Sequence, residues 1–249
     1  MILDNITEQL LKEYALKYET AEFIIGDPSY FMHQVSGTEE QEAMAFLAAS
    51  ISYGARSQFL PRIRWMLERS EGRPHEWVCG GRYLKDLPEG DSRCFYRLYN
   101  IDTYSRFLSS YRALLLKYGS LGDYLRPRAG TALEAIDLIC RHFAALGTSE
   151  VIPKDTKSSC KRLAMFLRWM VRGGSPVDLG LWEDFIPRTS LIMPLDTHVL
   201  SEAARLGLVS SRNASMSSAL KLTKALAEVF PEDPLKGDFA LFGYGVNHS

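Results

Sequence analysis

Residues 192–208 run Ile192-Met193-Pro194-Leu195-Asp196-Thr197-His198-Val199-Leu200-Ser201-Glu202-Ala203-Ala204-Arg205-Leu206-Gly207-Leu208, and a helix begins inside them. An apolar, proline-led approach gives way to Asp196, after which Val199, Leu200, Ala203, Ala204 and Leu206 recur at helical spacing up to Gly207. An aspartate just ahead of such a run is a strong N-cap, because its carboxylate accepts from amides that have no partner inside the first turn. The spacing predicts a helix over 197–207 that Asp196 caps and Gly207 closes. Capping alone is a common reason for an aspartate at this place. At this level Asp196 is either a structural cap or a carboxylate held ionised for chemistry. His198 falls on the polar side with Ser201 and Arg205, which suits a surface histidine or a contact to an anionic partner.

Upstream, residues 154–172 carry Lys154, Lys157, Lys161, Arg162, Arg168 and Arg172 against one acid, Asp155. A helix over 156–172 places Lys161, Met165, Arg168 and Arg172 on one face. Leu163, Phe166, Leu167, Met170 and Val171 fall on the opposite arc, with Trp169 and Arg162 at its border. The pattern predicts an apolar side docked into a core and cations turned outward. The first turn, with Thr156, Ser158 and Ser159, would offer hydroxyls and unpaired amides of the kind that hold a phosphate. A run of basic residues is equally compatible with a solvated face. Cys160 suits a small buried residue, and Trp169 suits packing as well as stacking on a base.

The same periodicity recurs along most of the chain, over 5–25, 39–52, 57–69, 102–118, 131–146 and 215–229, whereas strand signals are brief and isolated. The class predicted is all-α. A single domain over 1–249 and two helical lobes both fit the length. The loosest stretch, 70–97, with Gly72, Pro74, Gly80, Gly81, Pro88 and Gly90, would be the connection between lobes. The formal net charge of −1 gives no global polycation, so any nucleic-acid binding must come from a local basic patch. The four cysteines form no CxxC pair and the five histidines are dispersed, which argues against a zinc or iron–sulfur site. No secretory leader or membrane-spanning apolar run is visible, so a cytoplasmic protein with reduced thiols is expected.

Taken together, the basic helix with Lys161 and the Pro194-Leu195-Asp196-Thr197-His198-Val199 segment leading to Ala204-Arg205-Leu206-Gly207-Leu208 resemble the helix-hairpin-helix (HhH-GPD) superfamily of base-excision DNA glycosylases. The motif region spans 153–208. Asp196 lies thirty-five positions after Lys161, a lengthened connection similar to that of the archaeal 8-oxoguanine glycosylase branch. Phe46 to Ala55 resembles the superfamily's early helix and its Ser-rich turn, and Asp233 to Gly243 resembles its final helix. The chain also looks like a bacterial family of unknown function that shares Cys160 to Arg172 and this ending. One departure is plain. Where the familiar enzymes have a Leu-Pro-Gly-Val-Gly turn, this chain has Ile152-Pro153-Lys154-Asp155-Thr156-Lys157-Ser158-Ser159, so side chains would replace backbone amides at a phosphate.

The resemblance implies a two-lobed helical fold with an active-site cleft between the lobes, a damaged DNA duplex as partner, and neither cofactor nor iron–sulfur cluster. It implies Lys161, or Lys157 one turn earlier, as the nucleophile and Asp196 as the catalytic carboxylate. DNA contacts would come from Lys154, Lys157, Ser158, Ser159, Arg162, Arg168, Arg172 and His198, and the pocket for a flipped base from Tyr53, Trp169 and Trp182. Two alternatives remain at this level: a nucleic-acid-binding protein that keeps the fold without the chemistry, and a helical scaffold in which both motifs are structural.

Overall fold

The computed structural model describes residues 4–210 and 213–248, with side chains to residue 245. Its helices are α1 (Asn5–Tyr18), α2 (Thr38–Ile51), α3 (Arg56–Arg69), α4 (Pro74–Cys79), α5 (Ile101–Tyr118), α6 (Leu121–Leu125), α7 (Ala132–Ala145), α8 (Lys161–Val171), α9 (Thr197–Arg205), α10 (Met216–Val229) and α11 (Lys236–His248). The strands among the described residues, β1 (Cys94–Tyr96) and β2 (Tyr99–Asn100), make a small antiparallel hairpin. The protein is all-α, as its periodicity predicts. The hairpin was not anticipated: Phe95, Tyr96 and Tyr99 supply the aromatic β preference, but the run is too short to show alternation.

The chain divides into two compact units: unit 1 comprises Met1–Phe23, Gly130–Ile136 and Thr156–Ser249, and unit 2 comprises Ile24–Ala129 and Asp137–Asp155. Residues 70–97, expected as a loose connection, lie wholly inside unit 2 and hold α4 and β1.

Unit 2 is built around α2, whose residues 42–51 are all buried. A helix apolar on every side belongs in a core, and the run Ala43-Met44-Ala45-Phe46-Leu47-Ala48-Ala49 has that composition. Phe46 meets Phe107, Tyr111 and Phe143 with ring centroids 4.8–5.8 Å apart. Glu42, just ahead of that run, is polar and buried as well. Its carboxylate accepts from the amides of Leu121 (2.6 Å) and Gly122 (2.9 Å), which satisfies the first turn of α6 from a distance.

In unit 1, α1 packs closely along α11. A Cβ on Gly243 would lie 2.3 Å from the Tyr18 ring, so only glycine permits this approach. Phe23 adds edge-to-face contacts with Phe239 (4.9 Å) and Phe242 (5.0 Å). Helix α8 crosses the core of unit 1, with Leu163, Phe166, Leu167, Trp169, Met170 and Val171 almost fully enclosed. Its last carbonyls are met by the chain folding back. The Leu179 amide donates to Trp169 O and the Trp182 amide to Met170 O, each at 2.7 Å.

Candidate active site

Two helix starts, those of α8 and α9, meet in unit 1. Helix α8 begins at Lys161 and not at residue 156, because Cys160 adopts a left-handed conformation (φ 46°, ψ 38°) that no helix can pass through. Before it the chain is drawn to α10: Ser158 bridges Ser215, and Lys157 O accepts the Met216 amide at 3.4 Å. The expected phosphate-holding turn over 156–159 therefore lies outside the helix. Ser159 is buried and its hydroxyl donates to Leu195 O at 3.0 Å, tying the approach to α8 to the approach to α9. Residues 191–195 are buried in turn, and the Met193 amide donates to Thr223 Oγ1 of α10 at 3.0 Å.

Asp196 is the N-cap of α9, as its place in the sequence predicts. Its Oδ1 accepts from the His198 and Val199 amides, both at 2.9 Å. The other oxygen, Oδ2, accepts from Lys161 Nζ at 2.6 Å. One carboxylate thus serves two donors: the helix fixes its orientation and the lysine engages its outward oxygen. Both side chains reach solvent, at 38% exposure for Lys161 and 29% for Asp196. Burial works against ionisation of Asp196, but the charge and hydrogen bond of Lys161, the Val199 amide and the nearby His198 outweigh it. The carboxyl is held below the usual range and is an anion at neutral pH.

The remaining sites implied by the sequence divide sharply. Arg168 and Arg172 do not face outward. They are 4% and 1% exposed, and this corrects the reading of both as DNA contacts. Arg168 Nε donates to Asp178 Oδ1 at 3.2 Å, and its Nη1 bonds Asp238. Arg172 forks onto Asp233 (3.0 Å and 3.1 Å from Nε, 2.8 Å from Nη2), donates to Glu19 Oε1 at 2.7 Å and bonds Asp178. Both guanidiniums also lie over the Phe239 ring, at 4.8 Å and 5.3 Å. The helical face was assigned correctly. What cannot be seen from α8 alone is that carboxylates from four other segments meet it, as they must if buried cations are to be tolerated.

Trp169 and Trp182 are likewise core residues at 0% and 2% exposure, with Trp182 edge-on to Phe166 at 5.2 Å, and so are not lining for a base pocket. Tyr53 is half-buried in unit 2, where its ring meets Tyr96 and Tyr99 and carries the Arg97 guanidinium 5.7 Å above it. Ser159 is committed to Leu195 O. Among the candidates for DNA contact, Lys157, Ser158 and His198 are exposed in unit 1 and Arg162 is half-exposed. Lys154 is exposed in unit 2.

The carboxylates Glu19, Asp178, Asp233 and Asp238 were missed as a group. The available signal was six basic residues over 154–172 in a chain whose net charge is −1, which requires acids elsewhere in the chain. Burial raises the carboxyls of Asp178 and Asp238 above the usual range, against the opposing pull of Arg168. Among the described residues no group of three or more His, Cys, Asp or Glu side chains is arranged to hold a metal ion, and no helix is long and apolar enough to cross a membrane.

Residues 27–247 match the family described as Protein of unknown function (DUF2400). The chain belongs to that family. No curated protein and no solved structure matches it.

Proposed function

We propose that this member of the DUF2400 family is a base-excision DNA glycosylase with AP lyase activity, built on a helix-hairpin-helix glycosylase architecture and acting on damaged duplex DNA. The observation that carries the reading is the contact between Lys161 Nζ and Asp196 Oδ2 at the start of two converging helices. These are the two residues that the resemblance assigns to chemistry, brought together across thirty-five positions.

The arrangement suits cleavage of an N-glycosidic bond. Positive charge develops at the sugar C1′ as the base departs, so an oriented carboxylate does most in the transition state. Asp196 is ionised and held by two amides. Lys161 attacks C1′ as the free amine and must first lose a proton, for which the bonded Asp196 oxygen is the nearest acceptor. The glycosidic electron pair leaves with the base, which takes up a proton. The nitrogen at C1′ then expels the ring oxygen O4′, which takes up a proton, to leave an iminium; loss of a C2′ proton from the iminium lets the 3′ phosphate depart by β-elimination. Lys157, Ser158, Arg162 and His198 are on hand in unit 1 for backbone phosphates.

Borohydride trapping tests the reading. Wild-type protein on duplexes carrying an abasic site or 8-oxoguanine should form a covalent adduct that is lost in Lys161→Ala. In Asp196→Asn the adduct should form slower by on the order of 10²–10³. No adduct on any lesion, the abasic site included, would sink the proposal. Salt-dependent DNA binding unchanged in Asp196→Asn, with no trapping, would point to a nucleic-acid-binding protein without the chemistry.

A further inference from the structure

Helix α3 and the β1–β2 hairpin of unit 2 carry a second concentration of cations, none of which enters the proposed chemistry. Gln58, Arg62, Trp65 and Arg69 recur at steps of four, three and four residues, so they share one face of α3 and span about 16 Å of its axis. The hairpin lies along that face. Arg97, in the hairpin turn, donates from Nη1 to Gln58 Oε1 at 3.0 Å. The Phe95 ring of β1 meets Trp65 at 5.7 Å and Arg62 at 5.4 Å, and the Arg69 guanidinium lies 5.9 Å from the Trp65 centroid.

Three guanidiniums thus rest on aromatic rings in a row: Arg97 on Tyr53 (5.7 Å), Arg62 on Phe95 and Arg69 on Trp65. An arginine stacked in this way is held by its planar face and keeps N–H donors at its edge. What the row lacks is acid. Arg56 and Arg93, which adjoin it in sequence, have Asp27 at 3.7 Å and Asp91 at 2.6 Å, and Arg69 has Asp86 at 3.5 Å. Arg62 and Arg97 have no carboxylate partner among the described residues.

Arg97 is also held against its backbone preference. Tyr96 pairs with Tyr99, so Arg97 and Leu98 form a two-residue turn, and Arg97 takes φ 51° where glycine, asparagine or aspartate is at ease. Its guanidinium crosses Gly54, at φ 84°, where a Cβ would stand 2.6 Å from Nη1. Strain kept at an exposed cation that no internal anion needs is of the kind found where a ligand is held.

We propose that this strip is a nucleic-acid contact surface, on which Arg62 and Arg97 bind backbone phosphates of DNA. The guanidinium fork matches a phosphate, and phosphates that follow one another at a rise of about 3.4 Å put several within the length of the strip. The apolar side chain at the hairpin tip, Leu98 at 87% exposure, is too little to seat the surface in a bilayer. The choice of DNA as the polymer rests on the glycosylase reading, whereas phosphate binding by the strip requires neither Lys161 nor Asp196.

Binding of the full chain to a fluorescein-labelled duplex of about 20 base pairs, intact or with one abasic site, is followed by anisotropy from about 50 to 300 mM salt. In the double variant Arg62→Gln, Arg97→Gln, affinity should fall about tenfold or more at ~0.1 M salt, and the log–log slope against salt should flatten by about 2 on both duplexes. Arg97→Gly removes the cation and suits the positive φ, so it should flatten the slope by about 1 with no loss of stability. That variant carries the test alone should the double variant fail to fold. Unchanged affinity and slope in the folded variants overturn the proposal. So does wild-type protein that binds neither duplex, whether or not it binds phosphatidylserine vesicles. A flattened slope in a protein that never forms a borohydride-trapped adduct leaves the surface in place and removes the glycosylase reading alone. Trapping with an unchanged slope does the reverse.

Discussion

At its N-terminal end α8 presents Lys161 to a single carboxylate, with more than a third of the lysine side chain in solvent. Two turns on comes Arg168, and at the C-cap Arg172, both sealed among Asp178, Asp233, Asp238 and Glu19. Charge type and helical face are alike; surroundings are not. A half-exposed pair gains less than a sealed one, because water still reaches both partners. Buried cations cannot go unpaired, and there the carboxylates are a condition of folding. On the proposed function the wet end of the helix carries the chemistry, while the dry end is architecture.

The sharpest way to break that comparison is at the dry end. Arg172→Ala strands Asp233, Asp178 and Glu19 in the interior and should cost about 3–5 kcal/mol in a denaturant titration. For a chain of this size that corresponds to about 6–20 °C in Tm. Arg172→Lys should not rescue it, because an ammonium cannot reproduce the fork onto both Asp233 oxygens. A loss below about 1 kcal/mol would show that the cluster is not what holds this end together.

How much of this was legible follows from how far each feature reaches along the chain. The Asp196 cap, the closure of α9 before Gly207 and the helix over 39–52 are local patterns, and the structure has them where the sequence puts them. The start of α8 was placed five residues early because its boundary depends on Ser158 meeting Ser215, far away in sequence. Arg168 and Arg172 were turned outward in expectation because helical periodicity says which residues share a face and not what that face meets. Their partners come from residues 19, 178, 233 and 238. A shared site for Lys161, or Lys157, and Asp196 was expected only through resemblance, and the direct bond between Lys161 and Asp196 was not expected, since no local rule relates positions thirty-five apart.

A smaller effect is expected at the junction of the two helices. Asp196→Ala removes both the cap of α9 and the partner of Lys161 and should lower stability by about 0.5–2 kcal/mol, whereas Asp196→Asn keeps the capping oxygen and should cost less. Acid separates the two ends further. Asp196 has a folded-state pKa below its unfolded value, so its contribution is present above the unfolded value near 4 and is lost as pH falls through the lower, folded one. Asp178 and Asp238 are raised in the fold. Their contribution is fully present below the unfolded value and is lost as pH rises through the raised one. Stability curves of Asp196→Asn and Asp178→Asn against pH should therefore diverge from wild type in opposite senses. Parallel curves would erase the distinction.

The smallest effect on stability belongs to the residue given the largest role in function. Lys161→Met leaves the aliphatic stem in place, and Asp196 keeps the two amides of α9 and access to water, so denaturation should move by no more than about 1 kcal/mol. The same substitution should abolish covalent trapping on DNA. Removal at almost no cost to folding, together with loss of trapping, is the outcome that the proposed chemistry requires of a lysine held 2.6 Å from a capped carboxylate. If Lys161→Met instead destabilised the chain as severely as Arg172→Ala, the pair would be one more tie in the ionic network, and the contrast between the two ends of α8 would collapse.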